Sequence, residues 1–156
     1  MSTELTFEHP LNERIRTFLR LEHLLDKVVH FLPQEDAWAS RAAVEGLLDI
    51  LAVTARADIK TELLKELDRN SNTLKKIQRQ PGVDLDTLGQ ILDYLQKAAG
   101  SLHAMNGQIG QPLREDELLK SISKRNSIPG GTCSFDLPQY HHWVTQPPEA
   151  RLQRLN

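Results

Sequence analysis

The sequence predicts an all-α protein, a bundle of about five to seven helices forming one domain over residues 1–156. Apolar residues recur at steps of three and four along most of the chain, with almost no alternation of period two. Prolines, glycines and capping acids fall where those periodic runs begin and end. Hydrophobic residues make up 39% and charged residues 26%, enough of both to bury a core and solvate a surface.

The first helix is expected over 10–32, with Pro10 in its first turn and Pro33 ending it. At about 100° per residue its apolar side chains cover well over half of the circumference. A surface helix needs one stripe, so this helix is expected to pack on two sides or against a second subunit. What remains is a polar seam of Arg16, Arg20, His23, Lys27 and His30. Steps of four, three, four and three put the seam in one line. It reads either as a solvated face, the better reading, or as a track for an acidic partner. A second helix follows over 36–55, with Trp38, Ala42, Leu47, Leu48 and Leu51 inward.

A third helix, 58–80, has Asp58 as N-cap and Ile59, Leu63, Leu67, Leu74 and Ile77 on its apolar side. Lys65, Arg69, Lys76 and Arg79 line the opposite side, where cations near the C-terminal end also suit the helix dipole. "QPGVD" breaks the chain, and Asp84 caps a fourth helix, 84–104, built on Leu85, Leu88, Leu92, Leu95, Ala99 and Leu102. A fifth, 112–125, carries Pro112 in its first turn, acids early and Lys124 and Arg125 late. A short helix is expected over 138–144, and "QPPEARLQRLN" begins another over 147–156.

Composition narrows the function. No apolar run reaches the ~20 residues of a membrane span, and the start lacks a signal peptide's apolar core. The lone Cys133 suits a reducing cytosol. A net charge of −2 gives no global attraction to nucleic acid or anionic lipid. The stretch "RNSIPGGTCSFDLPQYHHW", Arg125 to Trp143, concentrates the unusual chemistry. It lacks the Gly-Lys-Ser/Thr of a phosphate loop. Cys133, His103, His141 and His142 have no standard ligand spacing, so no metal and no cofactor are expected. As a nucleophile Cys133 would need His141 or His142 as base, with Asp136 orienting one of them. The structural reading is stronger: Pro129 extends Ile128, Gly130 and Gly131 permit a reversal, and Asp136 caps the helix begun at Pro138. Phe135, Leu137, Tyr140 and Trp143 then pin the connector to the bundle.

Several stretches together resemble the ZapD family, bacterial proteins that bind the tubulin-like division protein FtsZ. They are "FEHPLNERIRTFLRLE" (Phe7 to Glu22), "KTELLKELDR" (Lys60 to Arg69), "PGVD" (Pro81 to Asp84), "IGQPLRED" (Ile109 to Asp116) and "SIPGGTCSFDLPQYHHW" (Ser127 to Trp143). The resemblance implies a cytoplasmic, homodimeric, non-enzymatic protein acting at the midcell division site. Such a protein binds the flexible C-terminal tail of FtsZ and cross-links its filaments into bundles. It also implies a β-rich domain after the helical one, missing from this chain, which would then stop inside the helix begun at Pro147. Arg56 aligns with a basic family position at the helical side of the tail-docking groove, and Lys60 lies one turn on. Arg114, in the family-like "LRED" block, is a third partner-binding candidate, although a salt bridge to Glu115 or Asp116 is the more expected role. The apolar excess of the first helix is the expected dimer surface. Neither membrane nor nucleic acid is an expected partner. Two other classes stay open on residues alone: a small cytosolic enzyme using Cys133 with His141 or His142, and a helical nucleic-acid module using the basic seams of helices one and three.

Overall fold

A computed structural model describes residues 6–56 and 58–155, and their regular structure is entirely helical. The elements are α1 (Glu13–Phe31), α2 (Ala37–Ala55), α3 (Ile59–Ile77), α4 (Leu85–Ala104), α5 (Gln111–Glu115), α6 (Glu117–Arg125), α7 (Pro138–Val144) and α8 (Pro148–Leu155). Asn156, part of the expected last helix, lies outside the described residues.

Local hydrogen bonding explains where the helix ends differ from the sequence expectation. α1 starts at Glu13, not Pro10, because the Asn12 side chain accepts from Ile15 N at 2.9 Å and so caps the free amides. α3 stops at Ile77, where a tighter turn takes over as Gln80 N donates to Ile77 O. The expected single fifth helix is two, because the Asp116 carboxylate accepts from Leu119 N and starts α6 afresh. Asp136 does not cap α7. It accepts instead from Arg125 Nη1 at 3.2 Å and from Cys133 Sγ at 3.5 Å, drawing the connector back onto the end of α6. The glycine pair does make the reversal. Gly130 adopts φ 70°, and a Cβ on Gly131 would stand 2.7 Å from Arg125 O.

The chain divides into two compact units: Met1–Val53 with Pro112–Asn156, and Thr54–Gln111. In the first, Val44, Leu48 and Leu51 of α2 meet Leu118, Leu119 and Ile122 of α6 and Tyr140, Trp143 and Val144 of α7. Tyr140 and Trp143 stack at 5.9 Å between ring centroids. Arg41 lies over the Tyr140 ring at 4.6 Å and donates to Thr132 O, tying the Pro-Gly-Gly connector to α2. α8 is held by Arg151, 5% exposed, which donates to Ser40 Oγ at 2.8 Å and to the Glu35 carbonyl. α1 buries Leu21 and Val28. Its contact with α2 is close because Gly46 has no side chain: a Cβ there would stand 2.7 Å from Val28 Cγ2.

These contacts give two expectations. Gly46→Val overpacks a buried crossing and should cost about 1–3 kcal/mol. Gly89→Ala, in the open interior of α4 with nothing within 4 Å, should add about 0.5–1 kcal/mol. Urea midpoints should therefore move in opposite directions. Burial, the largest effect, raises the Tyr140 hydroxyl to about 12, against a lesser downward pull from Arg41. Between about pH 10 and 12 the unfolded chain gives up a proton that the folded one keeps. Stability should then fall with rising pH by up to ~1.4 kcal/mol per pH unit, and Tyr140→Phe should abolish that component.

Candidate functional site

The Thr54–Gln111 unit is a helical hairpin in which α3 packs against α4. Its turn needs Gly82, which adopts φ 85°, and α4 begins on Asp84, whose carboxylate accepts from Asp86 N and Thr87 N. The hairpin's other end carries an open cleft of about 580 Å³. Arg56, Asp58, Lys60, Thr61, Gln108 and Ile109 are among its lining residues, with half-buried Leu64 supplying aliphatic surface above the buried Ile59.

Three charged side chains in five residues give the cleft its electrostatics. Arg56 is exposed and makes no ion pair among the described residues. Asp58 caps α3: Oδ1 accepts from Thr61 N at 3.1 Å and Oδ2 from Thr61 Oγ1. Those hydrogen bonds hold its carboxyl below the usual carboxylate range, with smaller help from Lys65 and Lys60. The acid is therefore ionised and already committed to the backbone. Lys60 reaches across the hairpin and donates to Met105 O, the C-cap of α4. A cation at a helix C-terminus is favoured by the dipole and satisfies one of its orphan carbonyls. The cleft thus offers a guanidinium, an ammonium with one donor in use, and an aliphatic floor. That combination suits a carboxylate-bearing chain.

The remaining predicted site residues lie elsewhere. Arg114 belongs to the other unit, where its Nη2 donates to Leu51 O at 2.8 Å. Asp116, one expected partner of Arg114, pairs with Arg154 at 3.1 Å. Along α1, Arg16 pairs with Glu13 at 3.2 Å and Lys27 approaches Glu45 of α2 at 4.0 Å. Arg20 is exposed and without an ion pair among the described residues, so the seam is partly neutralised at either end. Cys133 is half-buried, and its hydrogen-bond partner is Asp136, an acid rather than an imidazole base. Among the described residues no cluster of three His, Cys, Asp or Glu could hold a metal, and no helix is long and apolar enough to cross a membrane.

Sequence reasoning missed the far wall of the cleft. Gln108 and Ile109 sit in "NGQIGQ", which reads only as a loop, and nothing in its pattern says that it folds back beside Arg56. The Arg114 contact makes a separate expectation: Arg114→Met removes a charge-assisted hydrogen bond to Leu51 O and should cost about 1–3 kcal/mol, read as a lower urea midpoint.

Comparison with known proteins points one way. The ZapD family model, described as a cell division protein, matches residues 19–156. Cell division protein ZapD of Methylococcus capsulatus is 45% identical over 151 residues, 97% of this chain and 59% of that protein. Its counterpart in Dechloromonas aromatica is 42% identical over 151 residues, 97% and 60% of the two chains. That of Nitrosomonas eutropha is 46% identical over 145 residues, 93% and 58%. The chain spans about three-fifths of the length of these curated relatives.

Proposed function

This chain belongs to the ZapD family of cell division proteins, and from that premise we propose that it binds the C-terminal tail of FtsZ and bridges FtsZ filaments as a homodimer. The membership carries the division role. The observation that supports tail binding is the cleft of the hairpin unit, where Arg56 stands exposed beside Lys60 without an acid committed to it among the described residues. An exposed ion pair contributes only about 0–1 kcal/mol and is screened by salt. One tail in one cleft is therefore held weakly, and filament bridging depends on joining two clefts in one particle. Linking two weak sites raises avidity through effective concentration without any new contact.

α1 supplies the surface for that joining. Leu25 is 52% exposed and Val29 69%, one helical turn apart on the side away from the basic seam. In this reading two copies of the apolar stripe meet across a two-fold axis, each burying the other. Arg16, Arg20 and Lys27 stay on the outer face as a secondary basic track, and Arg114 serves the fold. The protein works in the cytoplasm at the midcell ring, and the β-rich domain implied by the resemblance is not among these residues.

The test is co-sedimentation with FtsZ filaments alongside mass by light scattering. Arg56→Glu should sharply reduce pelleting while leaving the far-UV helical signal and the dimer mass unchanged. Leu25→Asp with Val29→Asp should halve the mass and abolish bundling, yet leave binding to an isolated tail peptide intact. Pelleting that is indifferent to Arg56→Glu would remove the cleft from the reading.

A further inference from the structure

The cleft of the hairpin unit has two chemically different parts. Arg56 and Lys60 supply positive charge, while half-buried Leu64 and Ile109 supply aliphatic surface. The positive part is weaker than its sequence suggests. The Lys60 ammonium is tethered to Met105 O through one of its donors, and ionised Asp58 lies between the two cations in sequence. With Lys60 tethered inside the hairpin, Arg56 is the more mobile of the cleft's cations and the one placed to meet an incoming anion. A single exposed ion pair changes affinity by no more than about fivefold. Charge alone cannot select one acidic chain from another here. Burying one large aliphatic side chain changes affinity by roughly tenfold to a hundredfold.

We infer that the cleft reads a peptide segment in which a large apolar side chain lies next to a carboxylate, with the apolar side chain against Leu64 and Ile109 and the carboxylate on Arg56. This deepens the proposed function and rests on it, since the FtsZ tail is the occupant. Lys60 is a positioning residue. Its bond to the α4 C-cap holds the wall carrying Gln108 and Ile109 opposite Arg56, and it contributes to selectivity through that wall. Nucleic acid and purely acidic chains are disfavoured by the same geometry, since neither offers an aliphatic group beside its charge.

Fluorescence anisotropy with a labelled FtsZ C-terminal tail peptide and the whole chain tests this. Replacing the peptide's large apolar residues by serine should weaken binding at least tenfold. Amidating its carboxylates should weaken it severalfold and flatten the salt dependence. On the protein side, Ile109→Ser should reproduce the first effect with the salt slope unchanged, and Arg56→Gln the second. Lys60→Met should resemble Ile109→Ser rather than Arg56→Gln, and Lys60→Arg should restore binding. The inference is overturned if the serine peptide binds within twofold of the native one, or if hexaglutamate binds as tightly. Failure of the native peptide to bind at all sinks the FtsZ reading itself, which the serine comparison leaves standing. The peptide arms require no altered protein, so a misfolded variant does not blunt the result.

Discussion

The packing of Tyr140 and Trp143 against α2 and α6 is the constraint on which the larger unit depends. α7 is only seven residues long and has little helical stability of its own. It persists because its two large aromatics are buried, 2% and 4% exposed, among Val44, Leu48 and Ile122. That cluster joins segments from both ends of the chain, and it closes a loop running from α2 to α6. The entropic cost of such closure grows slowly with loop length, so a hairpin of nearly sixty residues can interrupt the unit at modest cost. Arg41 and Arg151 reinforce the closure. Each reaches a backbone carbonyl about ninety residues or more away in sequence.

The distribution of charge follows a different logic. Several ion pairs lie three residues apart on one helix, as in Glu62–Lys65, Glu66–Arg69 and Glu117–Lys120. Such pairs are individually weak and mainly keep the surface solvated. By contrast, the cations that fix tertiary structure give their protons to carbonyls: Arg41 to Thr132, Lys60 to Met105, Arg114 to Leu51, Arg151 to Glu35. Guanidinium and ammonium groups at these points supply donors to helix and connector carbonyls far away in sequence.

Much of the helical architecture was legible because its signals are local. Asp58 and Asp84 cap the helices their positions announced, and the three-and-four spacing of α4 puts Leu88, Leu92, Leu95, Ala99 and Leu102 on one face, with Leu85 left exposed at its start. Where several local signals competed, sequence was less decisive. Asp116 lay inside an apparently continuous helix, and Asp136 had one cation, Arg125, and the Cys133 thiol within reach as well as an amide to cap. The cleft was legible by half. Arg56 and Lys60 were found through family resemblance, but the partner of Lys60 lies forty-five residues on. No periodicity encodes a contact of that span, and the same holds for Arg114 and Leu51, sixty-three residues apart.

The bond from Lys60 to Met105 clasps the hairpin at its root, where the chain enters α3 and leaves α4. A hairpin closed at that end behaves as a cassette. Adding or deleting matched turns in α3 and α4 would change its length by about 1.5 Å per residue while the clasped ends kept their spacing. Lineages could therefore lengthen or shorten the hairpin without renegotiating the aromatic core, and protein engineers could graft a different hairpin onto the same clasped ends.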